Sequence, residues 1–181
     1  IVASRGTAAH LREFGIKVID VETITGYPPL VGVQGIKIIH PKIFSGVLAD
    51  KNNPEHLADL KKYKIPRFDI VACNFYPFEE SISKKVVNHD EAIFNLDIGG
   101  PAVVRCAAKN YKNVAILTDP ADYKQVLKEI DKSAEARPNG CSSGRVTEKT
   151  RKYLSLKAFK YVHRYDTLII KYLSKFFKNG K

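Results

Sequence analysis

No methionine occurs anywhere in the 181 residues, not even at position 1. The chain therefore reads as a fragment whose natural start lies upstream. Long apolar runs are missing as well: none approaches eighteen residues, so no helical membrane span is expected. The opening IVASRGTAAH lacks a basic segment followed by an apolar stretch and a small-residue cleavage site, and no secretory signal is visible. Cysteine is scarce and odd in number; Cys73, Cys106 and Cys141 match no zinc spacing. Cys73 and Cys106 stand in apolar surroundings and read as small core residues of a reduced, cytosolic protein. His10, His56, His89 and His163 show no ligand spacing either, so no metal is expected. Internal repeats and low-complexity segments are absent.

What is present is a soluble, globular composition, 44% hydrophobic and 27% charged, long enough for one domain with a core and a helical appendage. The net charge of +11 is unevenly placed, since residues 145–181 carry nine of those positive charges. A basic tail can neutralise phosphates. This one also carries a helical stripe, Leu154, Ala158, Val162, Tyr165, Ile169, Leu173 and Phe176, spaced by three or four. Its lysines are then the solvated face of a packing helix, and nucleic acid is not the expected partner. The expected organisation is a domain over 1–144 followed by a basic helical segment over 145–181.

Upstream of residue 140, short apolar runs alternate with amphipathic segments. Expected strands are Ile16–Val21, Ile70–Asn74 and Val114–Thr118, with Ile1–Ala3 the end of another. Expected helices are Thr7–Phe14, Glu55–Tyr63, Asp90–Phe94, Ala102–Ala108 and Ala121–Ile130. The alternation implies an α/β fold, a mostly parallel sheet with helices on both faces. Residues 133–146 are rich in Gly, Ser, Pro and Asn and read as a loop, with Thr147 capping the helix beyond.

The stretch NLDIGGPAVVRCAAKN at 95–110 carries the densest chemistry. Asp97 precedes the pair Gly99 and Gly100, and Pro101 marks a helix start. Paired glycines allow close backbone approach, and amides at a helix start attract an anion. Arg105 and Lys109 are four apart and share a face. A solvated, partly basic helix after a glycine turn fits the same residues equally well. Ser4-Arg5-Gly6-Thr7 opens another helix and can hold a phosphate or simply cap it. Lys37 lies among β-branched residues, as on an edge strand, and Tyr76 follows a strand, where a packed aromatic is the commoner reading.

CNFYPF at 73–78, DIGGPAVVRCAAKN and IKIIHPKIFSGVLA, with ITGYP, NPEHLADL, DPADYKQVLKEI and LSLKAFKYVHRYD in order, resemble the IMP cyclohydrolase domain of the bifunctional purine biosynthesis enzymes. The resemblance covers essentially the whole chain. It implies a methylglyoxal-synthase-like fold and closure of the formyl-AICAR ring to IMP with loss of water, the last step of purine synthesis. It also implies that an N-terminal strand and phosphate-contacting loop are missing, together with the transformylase domain. By position it makes Lys37, Tyr76, Asp97 and Lys109 catalytic. Ser4, Gly6, Thr7, Asn74, Gly99, Gly100 and Arg105 would bind substrate. The cyclohydrolase needs no cofactor; 10-formyltetrahydrofolate serves only the transformylase. The implied state is a cytosolic homodimer.

Three departures from the family pattern stand out. Arg5 replaces a glycine in the phosphate loop, Gly35 replaces an arginine, and Tyr111 stands where many relatives have histidine. A side chain at position 5 is expected to crowd the phosphate or forbid the needed backbone angle. Loss of the arginine removes a bidentate anion contact. The missing N-terminal loop, Arg5 and Gly35 keep a second reading open, a phosphate-ligand binding or regulatory domain of the same fold without catalysis.

Overall fold

The computed structural model describes residues 1–28, 30, 37–135 and 145–179. The chain forms two compact units, Ile1–Phe68 and Asp69–Lys181.

In the first unit, β1 (Val2–Ala3) leads into α1 (Arg5–Glu13), and β2 (Ile19–Asp20) runs parallel to β1 with Val2 opposite Ile19. The Arg12 guanidinium holds the end of β2, donating to Asp20 Oδ2 at 2.7 Å and to the Val18 carbonyl at 3.2 Å. The strand expected over Ile16–Val21 is thus only two residues long. Asp20 is the N-cap of α2 (Val21–Thr25), which stops at Gly26 in the left-handed conformation, φ 77°. Next come α3 (Pro41–Leu48) and α4 (Pro54–Lys62), each with proline in its first turn. His40 Nδ1 accepts the Lys42 N–H, and Asn53 Oδ1 accepts those of Glu55 and His56. Gly46 of α3 packs so closely that an added Cβ would lie 2.2 Å from the Pro66 carbonyl. Ala8, Val21, Ile43, Val47 and Leu60 are buried.

The second unit is built on β3 (Ile70–Ala72) and β4 (Ala115–Leu117), parallel, with Val71 opposite Ile116. Parallel pairing requires a crossover. Here the crossover contains α5 (Phe78–Ile82), α6 (His89–Phe94) and α7 (Gly99–Lys109). A 3₁₀ turn (Pro120–Asp122), α8 (Tyr123–Glu135) and α9 (Glu148–Asn179) follow. Thr147 caps α9 as expected, its Oγ1 accepting the Thr150 N–H at 3.3 Å. Of the loop expected over 133–146, the first residues still belong to α8, and 136–144 lie outside the described residues.

Helix α9 packs along α7 and β4. Leu154, Ala158, Val162 and Tyr165 of the expected stripe are buried, but the stripe fades toward Phe176, which is 41% exposed. One Arg151 guanidinium donates to the carbonyls of Tyr111, Lys112 and Val146, tying the loop after α7 to the start of α9. Among the described residues, no helix is long and apolar enough to cross a membrane.

Candidate active site

Past the end of β3, the Cys73 N–H still donates to the Leu117 carbonyl at 2.9 Å, and the Asn74 side-chain amide reaches the Thr118 carbonyl at 2.8 Å. Residues 74–76 therefore leave the carboxyl end of a parallel pair, the edge at which open α/β sheets take ligands. The Phe78 N–H closes onto the Tyr76 carbonyl at 2.8 Å, and the Phe78 ring is fully buried. That anchor leaves the Tyr76 side chain 37% exposed at the surface.

Asp97 meets this segment from the start of α7. Its Oδ2 accepts the Tyr76 N–H at 3.3 Å, and its Oδ1 accepts the Gly100 N–H at 2.8 Å. The anion drawn to this helix start is therefore the chain's own carboxylate. Gly100 is required for that approach: a Cβ there would stand 2.5 Å from Asp97 Oδ2 and 2.8 Å from the Phe75 ring. Asn74, Tyr76, Asp97, Gly99 and Gly100 thus form one local cluster.

Arg105 and Lys109 extend away from it along α7. Arg105 pairs with Asp166 of α9. Lys109 is the last residue of the eleven-residue helix, about 15 Å along the axis from Gly99. One short segment does not bring the Asp97 carboxylate and the Lys109 amine to contact distance.

In the first unit, Ser4 is the N-cap of α1 with extended backbone and no side-chain capping bond, while Arg5, Gly6 and Thr7 form the exposed first turn. Arg5 sits in the helix itself, and Lys64 is the one described non-glycine residue with positive φ. Lys37 is half-buried, just ahead of α3. Gly35 and Cys141 lie outside the described residues.

Burial pushes the Cys73 thiol up to about 12, with the Asp97 charge adding to it. Burial likewise raises Cys106 to about 11 against an opposing effect of Lys109. Both stay protonated near neutral pH, and neither is an activated nucleophile. Among the described residues, no group of three His, Cys, Asp or Glu side chains is placed to hold a metal ion.

Two residues unmarked as site residues in the sequence border the cluster. The Tyr165 hydroxyl accepts the Asp97 N–H at 2.7 Å, and the Tyr161 hydroxyl accepts the Phe75 N–H at 3.2 Å. A four-residue spacing on one helical face was their only signal.

The MGS-like domain family matches residues 1–102 and the AICARFT/IMPCHase bienzyme family residues 107–181, so the two matches meet within α7. The bifunctional purine biosynthesis protein PurH of Ruminiclostridium cellulolyticum is 43% identical over 96% of this chain and 32% of its own length. That of Persephonella marina is 43% identical over 98% of this chain and 32% of its own. The chain thus spans about a third of the length of these relatives. The crystal structure of ForH superposes with a TM-score of 0.73 at 32% identity, covering 93% of this chain and 82% of that one. The chain has the methylglyoxal-synthase-like fold, belongs to the MGS-like domain family, and is similar to the bifunctional purine biosynthesis proteins over about a third of their length.

Proposed function

We propose that this chain is an IMP cyclohydrolase, closing the pyrimidine ring of formyl-AICAR to IMP with loss of water. The supporting observation is the Asp97 carboxylate held against the Tyr76 backbone at the carboxyl end of β3 and β4, on residues that match the family's motifs. In the reaction the carboxamide nitrogen attacks the formamide carbon, a C–N bond forms, and the former carbonyl oxygen takes up charge. The attacking nitrogen gives up one of its two protons and the formamide nitrogen gives up its own; as both reach the oxygen, the C–O bond breaks, water leaves and the formamide C–N bond becomes double. Both partners belong to one molecule, so the site chiefly has to fix a reactive conformer and stabilise the charge.

Asp97 is assigned the carboxamide. A carboxylate has about four lone-pair positions, and two backbone donors leave acceptor capacity for a substrate N–H. Tyr76 is assigned to proton transfer as water leaves. The roles of Lys37 at the oxyanion, of Ser4, Gly6 and Thr7 at phosphate, and of Asn74, Gly99, Gly100, Arg105 and Lys109 toward the nucleotide rest on sequence likeness. Transformylase activity and its 10-formyltetrahydrofolate are assigned to parts of the relatives that this chain does not span. A cytosolic homodimer is the proposed working form, and sedimentation at micromolar concentration tests its size.

The deciding experiment supplies synthetic formyl-AICAR to the longest natural chain containing residues 1–181. IMP formation above the uncatalysed rate supports the assignment. IMP binding without turnover would replace it with the non-catalytic reading.

A further inference from the structure

The ring of Phe75 lies between two tyrosines of α9. It stacks on Tyr161 at 4.4 Å between centroids and meets the edge of Tyr165 at 4.8 Å. The hydroxyls of these tyrosines accept from the backbone of the two segments that form the cluster, Tyr161 from Phe75 and Tyr165 from Asp97. Tyr165 is 7% exposed and packs with Phe78 and Ala92. Phenylalanine would fill this space equally well, so packing alone does not explain the hydroxyls. A sheltered N–H left without an acceptor is costly, and a phenol is the group supplied here. Burial raises the Tyr165 phenol against a weaker lowering by the Asp97 N–H. It therefore stays neutral while accepting that bond. Helix α9 is itself fixed to α7 by Arg105 with Asp166 and by the Ser155 hydroxyl donating to the Ala108 carbonyl at 2.7 Å.

We propose that Tyr161 and Tyr165 are positioning residues of the ring-closing site, holding the backbone at Phe75 and Asp97 so that Tyr76 and the Asp97 carboxylate keep their mutual placement. This rests on the cyclohydrolase reading and extends it to helix α9, which carries none of the residues assigned to the reaction. Small displacements of a reacting group weigh heavily on the chemical step and little on ground-state binding. The signature is therefore a fall in kcat at nearly constant KM.

The test compares Tyr165→Phe, Tyr161→Phe and the control Tyr153→Phe, which alters an exposed tyrosine of the same helix, all in the longest natural chain. Formyl-AICAR turnover and amide hydrogen exchange are measured on each. The first two should lower kcat by about tenfold with KM within about twofold. Exchange should quicken at Asp97 in one and at Phe75 in the other, while Tyr153→Phe changes neither. Tyr161 is less buried, so its variant carries the test if Tyr165→Phe does not fold. Faster exchange with unchanged kcat would make the hydroxyls merely structural and overturn the proposal, as would unchanged exchange. Inactivity of the unaltered chain would overturn the cyclohydrolase reading and this proposal with it, a result distinct from an active chain indifferent to the tyrosines.

Discussion

The backbone N–H of Tyr76 and the Oδ2 of Asp97, twenty-one positions apart in sequence, meet at 3.3 Å. Asp97 is therefore both a brace and the proposed acceptor for the substrate. Asp97→Asn should lower turnover by about 100-fold or more, because the amide cannot take a proton. It should also destabilise by about 1–3 kcal/mol, because an amide has one acceptor oxygen for two backbone donors. Steady-state kinetics and urea unfolding on the same preparation separate the two effects.

Lys109, at the far end of α7, is tested apart from Asp97. Lys109→Leu should lower turnover by about 100-fold if the amine meets the nucleotide. Its exposed position predicts a melting temperature close to that of the unaltered chain. Unchanged kcat and KM would remove Lys109 from the site.

Gly46→Ala and Gly100→Ala both force a methyl group into occupied space. Overpacking of this kind costs about 1–3 kcal/mol. Gly46→Ala should be the worse, because the Pro66 carbonyl it meets is backbone and Gly100→Ala meets side-chain atoms. Only Gly100→Ala should also reduce turnover, by pushing on Asp97. Denaturant midpoints with parallel rate measurements provide the check.

The Lys157 ammonium bridges Asp119 and Asp122 at 2.7 and 2.6 Å. Burial opposes its charge, but the two hydrogen-bonded carboxylates outweigh that and raise Lys157 to about 12. The same bond lowers Asp119 below its ordinary 3.8, helped by the Ala121 N–H. A raised lysine contributes stability present below its ordinary 10.5 and lost as pH climbs through about 12. A lowered carboxyl contributes stability present above 3.8 and lost as pH falls through its folded value. Lys157→Met should return Asp119 toward 3.8 and flatten the stability profile at both extremes. An NMR titration of Asp119 and unfolding across pH measure this.

Arg5 and Gly35 mark the departures from the family pattern. Arg5→Gly together with Gly35→Arg should tighten IMP binding by roughly 10-fold or more, as for one regained charge-assisted contact. Calorimetry at fixed salt would detect it. Unchanged or weaker affinity would mean that the chain holds the nucleotide by other groups.

Residues 70–72 and 115–117 were legible as strands because short β-branched runs stand between turn residues. The buried half of α9 was legible from its spacing. Helix α3 was missed because the β-branched residues around Lys37 point toward a strand, although His40-Pro41 is a cap followed by proline at the first helical position. Helices α2 and α5 are five residues each, too short for periodicity to register. The role of Asp97 as an internal brace depends on Tyr76 and Tyr165, 21 and 68 positions away. No local pattern encodes such meetings, and an aromatic stripe reads as core whether or not its hydroxyls bond the backbone.

Helix α9 covers β4 and α7, yet it follows them in the chain. As the polypeptide emerges during translation, Val104, Ala107, Val114 and Ile116 are made before the helix that packs beside them. At about 5–20 residues per second, the interval between Leu117 and Tyr165 lasts roughly 2–10 s. Through that window the β3–β4 pair carries its crossover without its final cover, and the Asp97 N–H has no tyrosine to receive it. The nascent unit is thus most exposed to aggregation and proteolysis late in its synthesis, and a chain stalled before residue 165 would present an apolar sheet face to holding chaperones.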